Sequence, residues 1–136
     1  MNKAAENASG YSWMVNTFQK VDGTTTKLSD FTLSEAQAPT AVKLYFLNKN
    51  GATVADELGR KGFVYVHPDK CTASNAWVPG WYAFSMNGVN VAAAQFKLGT
   101  TSAYWANDVV IKAGQGFGVN RGTAATTLVI PSPLAD

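Results

Sequence analysis

A chain of 136 residues, 46% of them hydrophobic and only 15% charged, fits one domain able to bury roughly two-thirds of the surface its unfolded form exposes. Eleven basic and nine acidic residues leave a net charge of +2, and the lysines are spread singly, which gives no electrostatic reason to expect nucleic acid or an anionic membrane as partner. A lone cysteine, Cys71, excludes an internal disulfide, and no stretch approaches the roughly 20 apolar residues of a membrane-spanning helix.

Residues 1–10, MNKAAENASG, are polar and rich in Ala and Asn, and read as a tail that a neighbouring subunit can hold. Asn2, Lys3, Glu6 and Asn7 are its candidate assembly contacts. The tail lacks the apolar core, about 7 to 15 residues, of a secretory signal, so either the protein is intracellular or a leader has been removed and Met1 is not a natural residue; we expect the second. Residues 11–18, YSWMVNTF, place Tyr11, Trp13 and Val15 on one face of a first strand, and Val21-Asp22-Gly23-Thr24 ends it. Residues 25–33 form a second extended segment whose apolar points are Leu28, Phe31 and Leu33. Residues 33–38 allow one helical turn, which Pro39 stops.

Residues 41–47, AVKLYFL, are the clearest central strand, with Val42, Leu44 and Phe46 on one face and Tyr45 and Leu47 on the other. Both faces are therefore expected to be covered. Asn48-Lys49-Asn50-Gly51 supplies hairpin chemistry, because Asn and Gly tolerate the positive φ of a tight turn. Residues 54–58 read as a return strand or a helical turn ahead of Gly59-Arg60-Lys61-Gly62. Residues 63–67, FVYVH, make a second strand ended by Pro68 and Asp69, and residues 69–74 a surface loop. In residues 76–86, AWVPGWYAFSM, Pro79-Gly80 marks a turn or bulge, after which Trp81, Ala83 and Ser85 oppose Tyr82, Phe84 and Met86. Asn87-Gly88 is another hairpin signal, and residues 89–98 return as a strand or, through VAAAQF, as a short helix. Residues 100–108 read as an aromatic-bearing loop or short edge strand.

Residues 109–130, VVIKAGQGFGVNRGTAATTLVI, place two β-branched runs on either side of a glycine-rich segment in which Phe117 and Val119 share a face. They read as three antiparallel strands joined by Lys112-Ala113-Gly114-Gln115 and Asn120-Arg121-Gly122-Thr123, and Pro131-Ser132-Pro133 closes the chain. The pattern predicts an all-β single domain over residues 11–136. Its architecture is an antiparallel sandwich or rolled barrel of about eight or nine short strands, with at most one or two helical turns.

Chemistry is sparse. His67 is the only histidine, so no multi-histidine metal site can form, and its place at a strand end suits a structural role. Ser85 or Cys71 could formally join it, but no Gly-x-Ser-x-Gly elbow is present. Asp22, Asp30, Glu35, Asp56, Glu57, Asp69 and Asp108 stand mostly in turn contexts, and the adjacent pair Asp56-Glu57 would face opposite ways in a strand, which disfavours a carboxylate dyad. Gly114-Gln115-Gly116-Phe117-Gly118 lacks the Gly-Lys-Ser/Thr ending and following helix of a phosphate loop. We therefore expect no enzyme, no metal and no cofactor. Cys71 reads as a partly buried thiol, with an intermolecular or reactive thiol as the other reading. Trp77, Trp81, Tyr82, Tyr104 and Trp105 are either core or an exposed platform suited to sugar C–H faces or to another protein.

Val110-Ile111-Lys112-Ala113-Gly114-Gln115-Gly116-Phe117-Gly118-Val119 resembles a motif near the end of many bacterial secreted or surface β-modules: an apolar pair, Gly-Gln-Gly-aromatic, then an apolar residue before a final strand. Gly80-Trp81-Tyr82 is similar to the Gly-Trp-Tyr element that often precedes it, and Tyr11-Ser12-Trp13 with Lys27-Leu28-Ser29-Asp30 looks like the opening of such modules. The chain departs at Gly118, where those modules more often carry a bulky residue. The resemblance implies a secreted, non-enzymatic module and lends no catalytic residues. Together with a charged share well under the usual 25% or so, it leads us to expect an extracellular or cell-surface structural component. Such a component would self-assemble into a filament or layer through tail or strand-edge contacts. The alternative is a carbohydrate-binding module using its Trp and Tyr side chains, with a surface glycan as partner.

Overall fold

The alternating apolar stretches become the middle of one sheet. A computed structural model describes residues 5–6, 11–15, 26–112, 114–122, 124 and 126–130. Its strands are β1 (Ala5–Glu6), β2 (Tyr11–Val15), β3 (Thr32–Leu33), β4 (Lys43–Leu47), β5 (Arg60–Val66), β6 (Gly80–Met86), β7 (Val89–Asn90), β8 (Gly116–Asn120) and β9 (Leu128–Val129). Seven form one sheet in the order β1-β2-β8-β4-β5-β6-β7 with every pairing antiparallel, while β3 and β9 pair separately. Among the described residues the longest helical piece is the five-residue 3-10 turn Ala93–Lys97, and no helix is long and apolar enough to cross a membrane. The protein is all-β, as its sequence predicts.

Directly opposed residues of an antiparallel pair share a face, so the register sorts the side chains. Phe117 opposes Phe46 and Val119 opposes Leu44. Leu44 opposes Phe63, and Ala83 and Trp81 oppose Phe63 and Tyr65. These residues make the main core face, closed by Leu28, Phe31, Leu33, Val109, Ile111 and Leu128 from β3, β9 and the loops beside them. Burying each large apolar side chain contributes roughly 1.5–3 kcal/mol. On the opposite face Val64, Val66 and Tyr82 pack against Phe96 of the Ala93–Lys97 turn. The sheet is thus covered on both faces where β5 and β6 run, as the two-sided apolar pattern requires.

The predicted hairpin turns form. Asn48 Oδ1 accepts from the amides of Asn50 (2.9 Å) and Ala52 (3.1 Å), Gly51 takes φ +79°, and the chain returns as a single Leu47–Thr53 bridge. Asn87 (φ 52°) and Gly88 (φ 84°) lie between the paired Met86 and Val89, the two positive φ values of a type I′ turn.

Other expectations need correction. Residues 109–111, 116–120 and 128–130 do not pair with one another. β8 inserts between β2 and β4, Val110 makes one bridge to Lys27, and β9 pairs with β3. Periodicity assigns faces, not partners, and Val109, Ile111 and Leu128 are spent closing the main core. The extended segment expected at 25–33 is interrupted: Lys27, Phe31 and β3 are extended, but Leu28–Asp30 is a 3-10 turn, whose three-residue repeat puts Leu28 and Phe31 together in the core. The helical turn expected at 33–38 falls instead at Pro39–Ala41, where the fixed proline φ opens it. Within residues 54–58 the Val54 amide still donates to the Phe46 carbonyl, and the turn is Asp56–Gly59, closed by the Gly59 amide on the Asp56 carbonyl; residues 89–98 are a two-residue strand followed by a 3-10 turn. The tail pairs within its own chain, Ala5 with Trp13 and Glu6 with Ser12. Asn2, Lys3 and Asn7, the turn 21–24 and Pro131-Ser132-Pro133 lie outside the described residues.

Candidate functional site

The five aromatics expected to form one platform divide between core and surface. Trp81 and Tyr82 are 1% and 0% exposed, which removes both from any ligand-facing platform: they are successive residues of an interior strand covered on both sides. The Trp81 indole donates to the carbonyl of Phe31 (2.9 Å). The Tyr82 hydroxyl is shared between the carbonyls of Val78 (2.8 Å) and Phe96 (3.1 Å), and burial pushes the phenol up to about 12.

Trp77, Tyr104 and Trp105 are half-buried around that interior pair. Trp77 meets Phe96 edge-on (5.4 Å), Phe96 meets Tyr82 (5.0 Å), and Tyr82 meets Trp105 (5.3 Å), a continuous run of T-shaped contacts. The Trp105 ring rests on Gly80, where an added Cβ would stand 2.8 Å from it, and its carbonyl accepts from Arg60 Nη1 (2.9 Å). Tyr104 reaches the Val89 carbonyl at 3.3 Å. Among the described residues neither the Trp77 nor the Trp105 indole N–H has an acceptor, so both donors face solvent.

The groove is elsewhere. About 640 Å³ in volume, it is lined by Phe46, Val54 and Val109, by Leu58 and Val110, and by the polar Asp56, Glu57, Arg60, Asp108, Lys112 and Gln115. Asp56 and Glu57 sit on a turn, not a strand, which brings both to the groove together with Asp108. Asp56 is saturated: Oδ1 accepts from the amides of Leu58 (3.0 Å) and Arg60 (2.9 Å), and Oδ2 from Arg60 Nε (2.7 Å). Those two side chains are 16% and 14% exposed. Glu57 is exposed, and Asp108, with its side chain 83% exposed, stands 4.0 Å from Lys27 Nζ. The arrangement offers two solvated carboxylates on an apolar groove rather than a sheltered acid facing a base.

His67 Nδ1 accepts from the Asp69 amide (3.0 Å) and caps the 3-10 turn Pro68–Lys70, a structural task. Cys71 is half-buried with its Sγ 3.6 Å from the His67 carbonyl, and burial pushes its thiol up, away from the reactive thiolate. No group of three or more His, Cys, Asp or Glu among the described residues is placed to hold a metal ion. Gln115 ties its amide to the carbonyls of Leu47 and Gly116, 2.9 Å each, and the glycine-rich run continues into β8 with no helix to cradle a phosphate.

A row that the sequence reading missed crosses the sheet. Trp13 is paired with Gly118, and Gly118 with Tyr45. Tyr45 then lies against Gly62, where an added Cβ would meet its ring at 2.7 Å and Phe84 Cβ at 3.3 Å. Lys43 Nζ stands 4.9 Å above the Phe84 ring. Glycines alternating with aromatics at matching offsets were the available signal, but it becomes visible only once strand order is known. Comparison with protein-family models, curated proteins and solved structures found no match to the chain.

Proposed function

We propose that this chain is a non-enzymatic interaction component of a bacterial cell surface, and that it associates with a second copy of itself at the sheet edge carrying the N-terminal hairpin. One observation supports this above the rest. β2 is paired on both sides, with β8 and with β1, and β1 (Ala5–Glu6) ends the sheet, so the outer backbone of β1 has no strand partner among the described residues. Unpaired edge amides and carbonyls are a template for strand addition. The opposite edge is blunted. β7 has two residues, and beside it the chain lies along β6, with Ala83 N donating to Tyr104 O and Ala106 N to Trp81 O.

One open edge favours a closed two-fold pair, because a filament needs two complementary surfaces. Saturation of Asp56, the capping task of His67 and the raised Cys71 thiol support a non-enzymatic reading; the surface placement draws on composition and on the resemblance at residues 110–119. Sedimentation velocity across a concentration series tests it. The expected result is a monomer–dimer equilibrium that Ala5→Lys, a charge on the edge strand, shifts to monomer. A monomer at every concentration overturns it.

A second reading is glycan binding at Trp77 and Trp105, favoured by two half-buried indoles whose N–H groups have no protein acceptor. Retention on a glycan panel that Trp105→Ala abolishes without unfolding supports it, and no retention of the natural chain removes it.

A further inference from the structure

We propose that residues 108–112 form a second self-association contact, in which this segment adds antiparallel to its own copy about a two-fold axis at Val110. The β1 edge belongs to the seven-stranded sheet; this one belongs to the small ribbon that the Lys27–Val110 bridge makes outside it. In that ribbon Leu28 N donates to Val109 O and Ile111 N to Thr26 O, 2.8 Å each. An antiparallel bridge flanked in this way turns the amide and carbonyl of its central residue outward. Among the described residues those of Val110 have no partner, and an unpaired N–H and C=O on an exposed edge are a template for strand addition.

The pattern of side chains selects the occupant. Asp108-Val109-Val110-Ile111-Lys112 reads acidic-x-apolar-x-basic, which is complementary to itself when reversed. In an antiparallel pair centred on Val110, the two Val110 residues exchange both backbone hydrogen bonds, and each Asp108 stands opposite Lys112 of the other copy. Such a contact is isologous, the same patch meeting itself. The three side chains lie together: Asp108, Val110 and Lys112 all line the groove, and Asp108 Oδ1 reaches Lys27 Nζ, across the ribbon from Val110, at 4.0 Å. Asp108 and Lys112 are exposed, and Lys112 has no carboxylate partner among the described residues. Glu57 is exposed on the other bank, so Lys27 and Lys112 balance Asp108 and Glu57, and the face has no net charge to repel its copy. Val110 is 43% and Leu58 55% exposed, apolar surface that the second copy covers. With one residue pair exchanging hydrogen bonds the contact is weak and forms above the concentrations of the β1 pair. Where both operate, two different two-folds alternate and chains grow past a dimer.

The test is amide NMR of the Ala5→Lys chain, whose β1 edge is charged, over a dilution series. Expected are concentration-dependent shifts confined to residues 54–58 and 108–112, largest at the Val110 amide, which gains a hydrogen bond. Asp108→Lys or Lys112→Asp alone sets like charges opposite each other twice and should weaken association by about tenfold or more. Combining the two substitutions in one chain restores the complement and should recover association, as should an equimolar mixture of the two single variants. Absence of these shifts at every concentration, a single reversal that leaves association intact, or a double variant that fails to recover it overturns the proposal. A dimer of the natural chain that Ala5→Lys removes, with no shift at 108–112, leaves the β1 reading alone. Shifts at 108–112 without any β1 pair leave this contact alone.

Discussion

Trp81 and Tyr82 are adjacent, similar in size and equally hidden, yet they serve different cores through opposite faces of β6. Trp81 fills the main core and spends its one donor on Phe31. Trp81→Ala removes the ring and leaves that buried carbonyl without a partner, so urea unfolding should show a loss of about 3–5 kcal/mol. Tyr82 is held neutral by burial. With a folded value of about 12 against 10.0 for the free group, the unfolded chain gives up its proton first. The stability Tyr82 contributes is thus complete below pH 10 and drains away between pH 10 and about 12. Burial also raises Tyr45 and Tyr65, so ultraviolet titration should find several tyrosines ionising late, the last of them together with unfolding, and Tyr82→Phe should remove that last step.

β4, β5 and β6 were legible because their identity is local: alternation, β-branched and aromatic residues, and turn chemistry at each end. Two glycines separate two meanings of that residue type. Gly88 has φ +84° and nothing within 4 Å of an added Cβ, so Gly88→Ala should cost only the backbone conformation, about 1 kcal/mol by thermal melting. Gly80→Ala adds a collision with Trp105 at 2.8 Å and Asn107 Oδ1 at 3.0 Å. It should cost more, about 1–3 kcal/mol beyond the backbone, and should also shift tryptophan fluorescence. The failed three-stranded reading of 109–130 marks the limit of local pattern. Nothing within those residues encodes that β8 prefers β4, whose Phe46 and Leu44 complete the faces of Phe117 and Val119. The aromatic–glycine row was hidden for the same reason, since each member is ordinary in its own strand.

The molecule is one sheet with unequal covers: a broad core under β3, β9 and their loops, and a small one under the Ala93–Lys97 turn. Amides of β5 and β6, inside the sheet and flanked by both cores, should exchange with solvent only on global unfolding. Those of β7, and of Val129 in β9, should exchange orders of magnitude faster in native-state hydrogen exchange; uniform protection would contradict this division. Candidate surfaces were less legible than the fold, because they depend on what remains uncovered after packing. Trp77 and Trp105 stayed outside, Trp81 and Tyr82 did not, and the carboxylates of Asp56, Glu57 and Asp108 met only through a turn the sequence left undecided.

β8 follows β2 by about a hundred residues of chain and sits next to it in the sheet. On a ribosome β2 therefore emerges long before its neighbour exists, and the sheet cannot be completed until β8 has been made. Such a chain folds by long-range closure, staying extended while it is being made.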